Sequence, residues 1–181
     1  DKRMAYVAIA EKLHQKRTSA ARSFETAVET NLKGVALEKA RFEVRIDSPD
    51  PSRTESDGSF TAKGFDTVEF YFSANPGEPA KPLSKVASGG EASRLMLILK
   101  TTLRSGGIEK AAVFDEIDVG IGGRVAEAVG RKLKELASSQ QVLCVTHQPQ
   151  IASLADRHFV VEKDTAGAST SVAVRELDAG E

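Results

Sequence analysis

The chain has 181 residues, 40% of them hydrophobic, and 25 Lys and Arg stand against 26 Asp and Glu for a formal net charge of −1. That length supports one real core, and the near-neutral balance favours neither nucleic acid nor an anionic membrane as a partner of the whole molecule, so any such binding has to be local. Cys144, the single cysteine, rules out an internal disulfide framework and fits a reducing compartment, while apolar runs such as Leu95 to Leu99 are too short to span a bilayer.

The chain opens Asp1-Lys2-Arg3-Met4, without an initiator methionine or a signal-peptide pattern, and reads as a piece of a longer protein. From Lys2 to Lys33 there is neither proline nor glycine. Met4, Val7, Leu13, Phe24, Val28 and Leu32 recur at loosely helical spacing, which predicts one long helix or two in series, with Gly34 as the breaker. The apolar stripe is sparse, so this segment needs a partner surface. Lys2, Arg3, Lys12, Lys16, Arg17 and Arg22 make its first two-thirds basic, read first as a solvated face and second as a patch for DNA.

Arg41 to Ile46 alternates strictly, predicting a strand with Phe42, Val44 and Ile46 facing in, and Val68 to Phe72 repeats the pattern with Val68, Phe70 and Phe72. The two are expected to pair antiparallel, joined by the Asp-, Ser-, Pro- and Gly-rich stretch from Asp47 to Gly64. Ser73 to Pro82 reads as irregular. Ala92, Leu95, Met96, Leu99 and Leu103 then mark a helix ended by Gly106-Gly107, with Leu97 and Ile98 widening its apolar surface. Ala111 to Phe114 is a short apolar run that stops abruptly in Asp115-Glu116 and predicts a buried strand delivering acids at its carboxyl end. A glycine-rich turn (Gly120, Gly122, Gly123) leads to a helix carrying Val125, Ala128, Val129, Leu133 and Leu136. Val142 to Val145 predicts a second buried strand ending in Thr146-His147, with Pro149 opening a short helix through Leu154. Arg157 to Val161 and Ser169 to Arg175 read as closing strands, and the tail after Leu177 as disordered.

Three places carry chemistry. Ser88-Gly89-Gly90-Glu91 is a capping box at a helix start, yet capping does not need two glycines, which bare backbone N–H groups toward an anion. Acids beyond the end of a central strand are the arrangement that holds Mg²⁺ on a nucleotide and polarises an attacking water. His147, at the end of the adjacent strand, is by itself a hydrogen-bonder, and beside a nucleotide it can reach the γ-phosphate. His14 and His158 have no partner in sequence and no role is assigned to them. Cys144, mid-strand among apolar neighbours, reads as an inert thiol.

The order of these motifs resembles the C-terminal half of an ABC-type ATPase head, and the N-terminal helix is similar to the coiled-coil arm of the SMC-like branch. Asn75 to Pro79, Val86 to Arg94, Phe114 to Ile121 and Cys144 to Ala152 together resemble the RecN family of bacterial DNA-repair proteins, from about Arg41 to Lys163. The resemblance implies an α/β fold, with residues 1–38 as the base of the arm, 39–177 as the C-terminal lobe of the head and 178–181 as a tail. It implies that Ser88, Gly89, Gly90 and Glu91 match the signature that grips ATP held by a second head. Asp115 matches the Walker B ligand of Mg²⁺, Glu116 the catalytic glutamate and His147 the switch histidine. The implied partners are the N-terminal half of the same head, a second copy of the head, and DNA, in the bacterial cytoplasm at the nucleoid and with no membrane. The implied activity is ATP hydrolysis in double-strand-break repair and recombination. No Gly-x-x-x-x-Gly-Lys-Ser/Thr loop occurs in the chain, so the chain alone is expected to be inactive, and Gly122 stands where SMC-type heads carry the D-loop aspartate. The competing readings are a DNA-tethering scaffold with a vestigial nucleotide site, and a different SMC-like head.

Overall fold

The first helix, α1, runs unbroken from Lys2 to Leu32 in a computed structural model that describes residues 2–49, 61–86, 89–103, 111–166 and 169–178. The turn that ends it comes slightly later than expected. A 3₁₀ turn spans Lys33–Val35, and the left-handed residue that redirects the chain is Ala36, at φ 57°, rather than Gly34. The sparse stripe has a physical counterpart, because only Ala10, Val28 and Leu32 of α1 are buried.

Strands β1 (Arg41–Asp47) and β2 (Thr67–Ser73) pair antiparallel, setting Phe42 opposite Phe72, Val44 opposite Phe70 and Ile46 opposite Val68. The alternation of both segments thus points one way, except that Val68, near the end of the ladder, stays 43% exposed. A two-residue strand β3 (Lys81–Pro82) adds to β2, a short pairing inside the stretch expected to be irregular. The resulting sheet has the order β1-β2-β3, so β1 is an edge with unpaired N–H groups. Helix α1 covers it. The Glu25 carboxylate accepts from the Val44 N–H at 2.6 Å and Glu29 accepts from the Phe42 N–H at 3.2 Å. Phe24 of α1 meets Phe42 edge-on at 5.6 Å between centroids and Phe70 at 5.9 Å.

Helix α2 (Gly90–Thr102) departs from the expected seam. Arg94, Leu95, Leu97, Ile98 and Leu99 are buried, whereas Met96 is 40% and Leu103 45% exposed. The Gly106-Gly107 stop lies outside the described residues. Strands β4 (Ala111–Phe114) and β5 (Gln141–Cys144) pair parallel, with helix α3 (Gly123–Ala137) between them in sequence. Neither strand is buried on both faces. Ala112 and Phe114 point into the core, while Val113 is 69% exposed and Leu143 48%.

A short helix α4 (Pro149–Ala152), with its proline in the first turn, packs on α3 at Gly130. A Cβ there would come within 2.8 Å of Leu154 Cδ1 and 3.3 Å of the Ile151 Cα, so a side chain would push the two helices apart. Strands β6 (Phe159–Ala166) and β7 (Ser169–Glu176) form an antiparallel ribbon, β6 extending past the expected end at Val161. Most of the tail, residues 179–181, lies outside the described residues. One core joins α1, β1, β2, α2, β4, α3 and α4 through Val28, Leu32, Phe42, Phe72, Leu95, Ile98, Phe114, Val129 and Ile151.

A polar knot fastens α1 to the approach to β2. Asp66, its side chain 1% exposed, takes Arg17 Nη1 at 2.8 Å and His14 Nδ1 at 2.9 Å, and the Ser48 hydroxyl at 2.5 Å. His14 therefore has a partner that its sequence neighbourhood does not reveal. Burial pushes the Asp66 carboxyl up, but the bonds from Ser48, Arg17 and His14 outweigh it and hold it below the usual carboxylate range. A folded-state value below the unfolded one gives stability that is present above about pH 4 and lost as the pH falls through the lower folded value. Thermal melts between neutral pH and about pH 3 should therefore show a steeper acid loss in the wild type than in Asp66→Asn. At neutral pH that variant should melt lower by roughly 1–3 kcal/mol of stability; equal acid slopes would mean that Asp66 is not ionised in the knot.

Candidate functional site

The carboxyl ends of β4 and β5 lie side by side, with Phe114 opposite Cys144 and the Val145 N–H donating to the Phe114 carbonyl at 2.9 Å. Asp115 and Glu116 leave β4 at this edge and both are exposed. Glu116 has φ 57°, a left-handed conformation that costs a non-glycine residue about 1 kcal/mol. Such strain concentrates at functional positions. Asp115 supports the turn, its Oδ1 accepting the Glu116 N–H at 2.9 Å. Immediately afterwards the chain dives inward: Ile117 is fully buried and Asp118 is 3% exposed.

The start of α2 touches this loop. Gly89 is the N-cap, at φ 152° and with no side-chain cap bond, and Glu91 lies in the first turn. The capping position is thus Gly89 rather than Ser88, which itself lies outside the described residues. A Cβ on Gly90 would sit 3.0 Å from the carbonyl oxygens of both Glu116 and Val119 and 2.8 Å from Arg94 Nη1, so a side chain there would crowd the acidic loop. The Ser93 hydroxyl donates to the Asp115 carbonyl at 2.9 Å. Arg94, 5% exposed, donates to the carbonyls of Val119 at 3.0 Å and Ile117 at 3.3 Å. Burial pushes the Arg94 guanidinium below its ordinary value and the charge of Glu91 partly offsets this. These two braces were not singled out by sequence, where Ser93 and Arg94 look like ordinary helix surface.

His147 joins the site from β5, its side chain 73% exposed and its Nδ1 3.1 Å from Asp118 Oδ2. Asp118, which falls inside the Phe114 to Ile121 motif without a role of its own, is the buried acid around which this corner is built. The available signal was its place one turn beyond the exposed pair, next to a buried Ile. Gly122 caps α3 in an extended conformation, at φ −166°. Cys144 is half-buried; burial, then the charges of Asp118 and Asp115, push its thiol up to about 11.

The structure thus brings Gly90, Asp115, Glu116 and His147 onto one rim of the lobe, with Gly89 and Glu91 beside them. Among the described residues no three His, Cys, Asp or Glu side chains converge as a metal cage. Mg²⁺ is usually held by one or two carboxylates together with substrate phosphates and waters, so an exposed Asp115 at a strand end fits that ion's donor preference. Among the described residues no helix is long and apolar enough to cross a membrane.

Two measurements check this geometry. Replacing Glu116 by Gly should raise stability by up to about 1 kcal/mol in denaturant melts, since glycine takes the left-handed turn without penalty; a loss would show that the Glu116 side chain holds the loop. Alkylation of Cys144 at neutral pH should be slower than that of free cysteine by roughly two orders of magnitude, as its low thiolate fraction requires.

No protein-family model matches the chain. Proteins named DNA repair protein RecN are similar to it. The one from Rickettsia bellii is 43% identical over 176 residues, covering 97% of this chain and 30% of the relative. The one from Treponema pallidum is 46% identical over 160 residues, covering 88% and 27%. The Halalkalibacterium halodurans protein is 41% identical over 161 residues, covering 89% and 28%. The chain therefore spans less than a third of the length of these curated relatives. Among solved structures, the Smc head domain with a coiled coil and joint from Pyrococcus yayanosii matches with a TM-score of 0.53 at 17% identity, covering 87% of this chain and 27% of that one, a likeness of fold.

Proposed function

We propose, from homology over most of the chain to proteins named DNA repair protein RecN and from a fold shared with an Smc head, that this chain is the C-terminal lobe of an SMC-like ATPase head acting in DNA double-strand-break repair and recombination. The observation that carries the reading is the exposed Asp115-Glu116 pair, held in a left-handed turn at the carboxyl end of β4 beside His147.

On this reading each residue has one task. Asp115 holds Mg²⁺, and that ion, when bound, neutralises phosphate charge and orients the phosphates of ATP. Glu116, free of the core and fixed in direction by its backbone, accepts a proton from the attacking water and aligns it. His147 contacts the γ-phosphate from the neighbouring strand end. Ser88, Gly89, Gly90 and Glu91 present the start of α2, with its N–H groups and dipole, to ATP held by a second copy of the head. Residues 1–38 form the base of the arm and 39–177 the lobe.

The exposed Val113, Leu143 and Val145 support a further partner. A two-stranded parallel sheet with an open apolar face is incomplete by itself, and the N-terminal half of the head, bearing the phosphate-cradling loop, is the partner that would cover it. DNA is the remaining partner. DNA repair is what the relatives are named for, and exposed Lys12, Lys16 and Arg22 on α1 offer DNA a local basic face despite the near-neutral total charge.

The test is Glu116→Gln in the head assembled with its N-terminal half. ATP should still bind, with turnover down by about 10²-fold or more. Unchanged turnover, or loss of ATP binding together with turnover, would remove Glu116 from the chemistry and favour a tethering scaffold.

A further inference from the structure

We propose that Asp118 is a positioning residue for His147, holding that histidine by its backbone and its ring at once and so deciding which ring nitrogen is turned toward the phosphate. The proposal rests on the ATPase reading above and gives a role to a residue that no motif assigned.

The geometry is specific. Asp118, its side chain 4% exposed, takes two hydrogen bonds on one oxygen and holds the His147 ring in charge contact with it. Oδ2 accepts the Thr146 hydroxyl at 2.5 Å and the His147 backbone N–H at 2.9 Å, and His147 Nδ1 lies 3.1 Å away. Burial pushes the Asp118 carboxyl up, but the Thr146 and His147 hydrogen bonds outweigh it and hold it below the usual carboxylate range. It is therefore an anion at neutral pH, and an anionic carboxylate can only accept. An anion 3.1 Å from Nδ1 favours the tautomer with its proton there, so the neutral ring has Nδ1–H and a bare Nε2. The other side of the ring agrees. His147 Nε2 lies 3.2 Å from Gln148 Nε2, and the same amide nitrogen donates to the Ile121 carbonyl at 3.1 Å, which identifies it as the donor end of the glutamine. The polarity runs from Gln148 to His147 to Asp118.

This matters because the ring is otherwise open. With its side chain 73% exposed, His147 would have its tautomer and rotamer set by water, and the imidazole of free histidine favours the proton on Nε2. A buried carboxylate beside Nδ1 favours the same tautomer that the acid of a hydrolytic triad selects for its base. The same oxygen also ties the loop after β4 to the loop after β5, so movement of the acidic turn carries the histidine with it.

The experiment uses the head assembled with its N-terminal half, with ¹⁵N-labelled histidine, at a pH where the ring is neutral, and with the His147 signal assigned by its loss in His147→Gln. Two-bond ¹⁵N–¹H correlations should show Nδ1–H in the wild type and a shift toward Nε2–H in Asp118→Ala. The same variant should lose at least about tenfold in kcat with KM for ATP changed little. Asp118→Asn, whose amide oxygen can take the same two hydrogen bonds and still face Nδ1, should keep more of the Nδ1–H form and more of the turnover than Asp118→Ala. Nε2–H as the main form in the wild type overturns the assignment, and does so even if neither variant folds. So does Asp118→Ala that retains both tautomer and kcat while merely melting lower. Should the wild type hydrolyse no ATP, the ATPase reading fails, and the tautomer comparison alone still decides whether Asp118 orients His147.

Discussion

The candidate site depends on a reversal completed within four residues. Asp115 and Glu116 stand in water, while Ile117 and Asp118 are buried. A strand that simply continued would alternate inside and outside and could not place two acids outward in succession. The left-handed turn at Glu116 breaks that alternation. The full burial of Ile117 in the same core as Phe114 then holds the strained conformation in place. Hydrophobic burial of a whole Ile side chain is worth roughly 1.5–3 kcal/mol, enough to offset a left-handed residue costing about 1 kcal/mol. The acids are therefore presented by a loop that is anchored on both sides, which is what a group that must align a water molecule needs.

A second set of contacts makes the loop one body with the start of α2. Ser93 and Arg94 donate to the carbonyls of Asp115, Ile117 and Val119, so three of the five residues from Asp115 to Val119 are tied to the same helical turn. Arg94 makes these bonds from a buried position in which its named partners are backbone carbonyls. The guanidinium suits the task because its charge survives burial and its Nη1 alone carries two N–H groups, one for each carbonyl. Gly90 completes the contact by leaving no Cβ to keep the backbones apart. Whatever grips the start of α2 thus pulls directly on the acidic turn, without an intervening chain of side chains.

Where the sequence is periodic it reads correctly. The alternation of Arg41 to Ile46 and of Val68 to Phe72 corresponds to paired strands with the expected faces, and α3 buries Val129, Leu133 and Leu136 as its spacing requires. Periodicity misleads where one residue serves a different end. In α2 the seam is rotated because Arg94 goes inside to brace a loop and Met96 comes out, an inversion that no hydropathy pattern can signal. Strands β4 and β5 look buried from their composition, yet Val113 and Leu143 face outward. Composition marks these residues as apolar without saying which face of the sheet they take. Asp118 was illegible for another reason. A carboxylate in sequence carries no mark of its depth, and its role exists only once β5 brings Thr146 and His147 to it. The same holds for Asp66, whose partners His14 and Arg17 are some fifty positions away.

The attachment of α1 follows the same logic of long-range polar partners, and it bears on how an arm could act on a head. A helix with only three buried residues in 31 is not held by its apolar stripe alone. Its grip comes from three different kinds of contact spaced along its length. The Asp66 knot engages His14 and Arg17, the Phe24 ring packs on Phe42 and Phe70, and the Glu25 and Glu29 carboxylates take the edge N–H groups of β1. A sliding or rotation of α1 by one residue would swing each of these groups about 100° around the helix. It would strip a buried carboxylate of both its α1 partners and leave two strand N–H groups unpaired at the same moment. Such losses cost about 1–3 kcal/mol each, so α1 moves with the β1-β2 sheet or not at all. A force on the helix is therefore delivered to the sheet, whose Phe42 and Phe72 lie in the same core as Phe114, the residue from which the acidic turn begins.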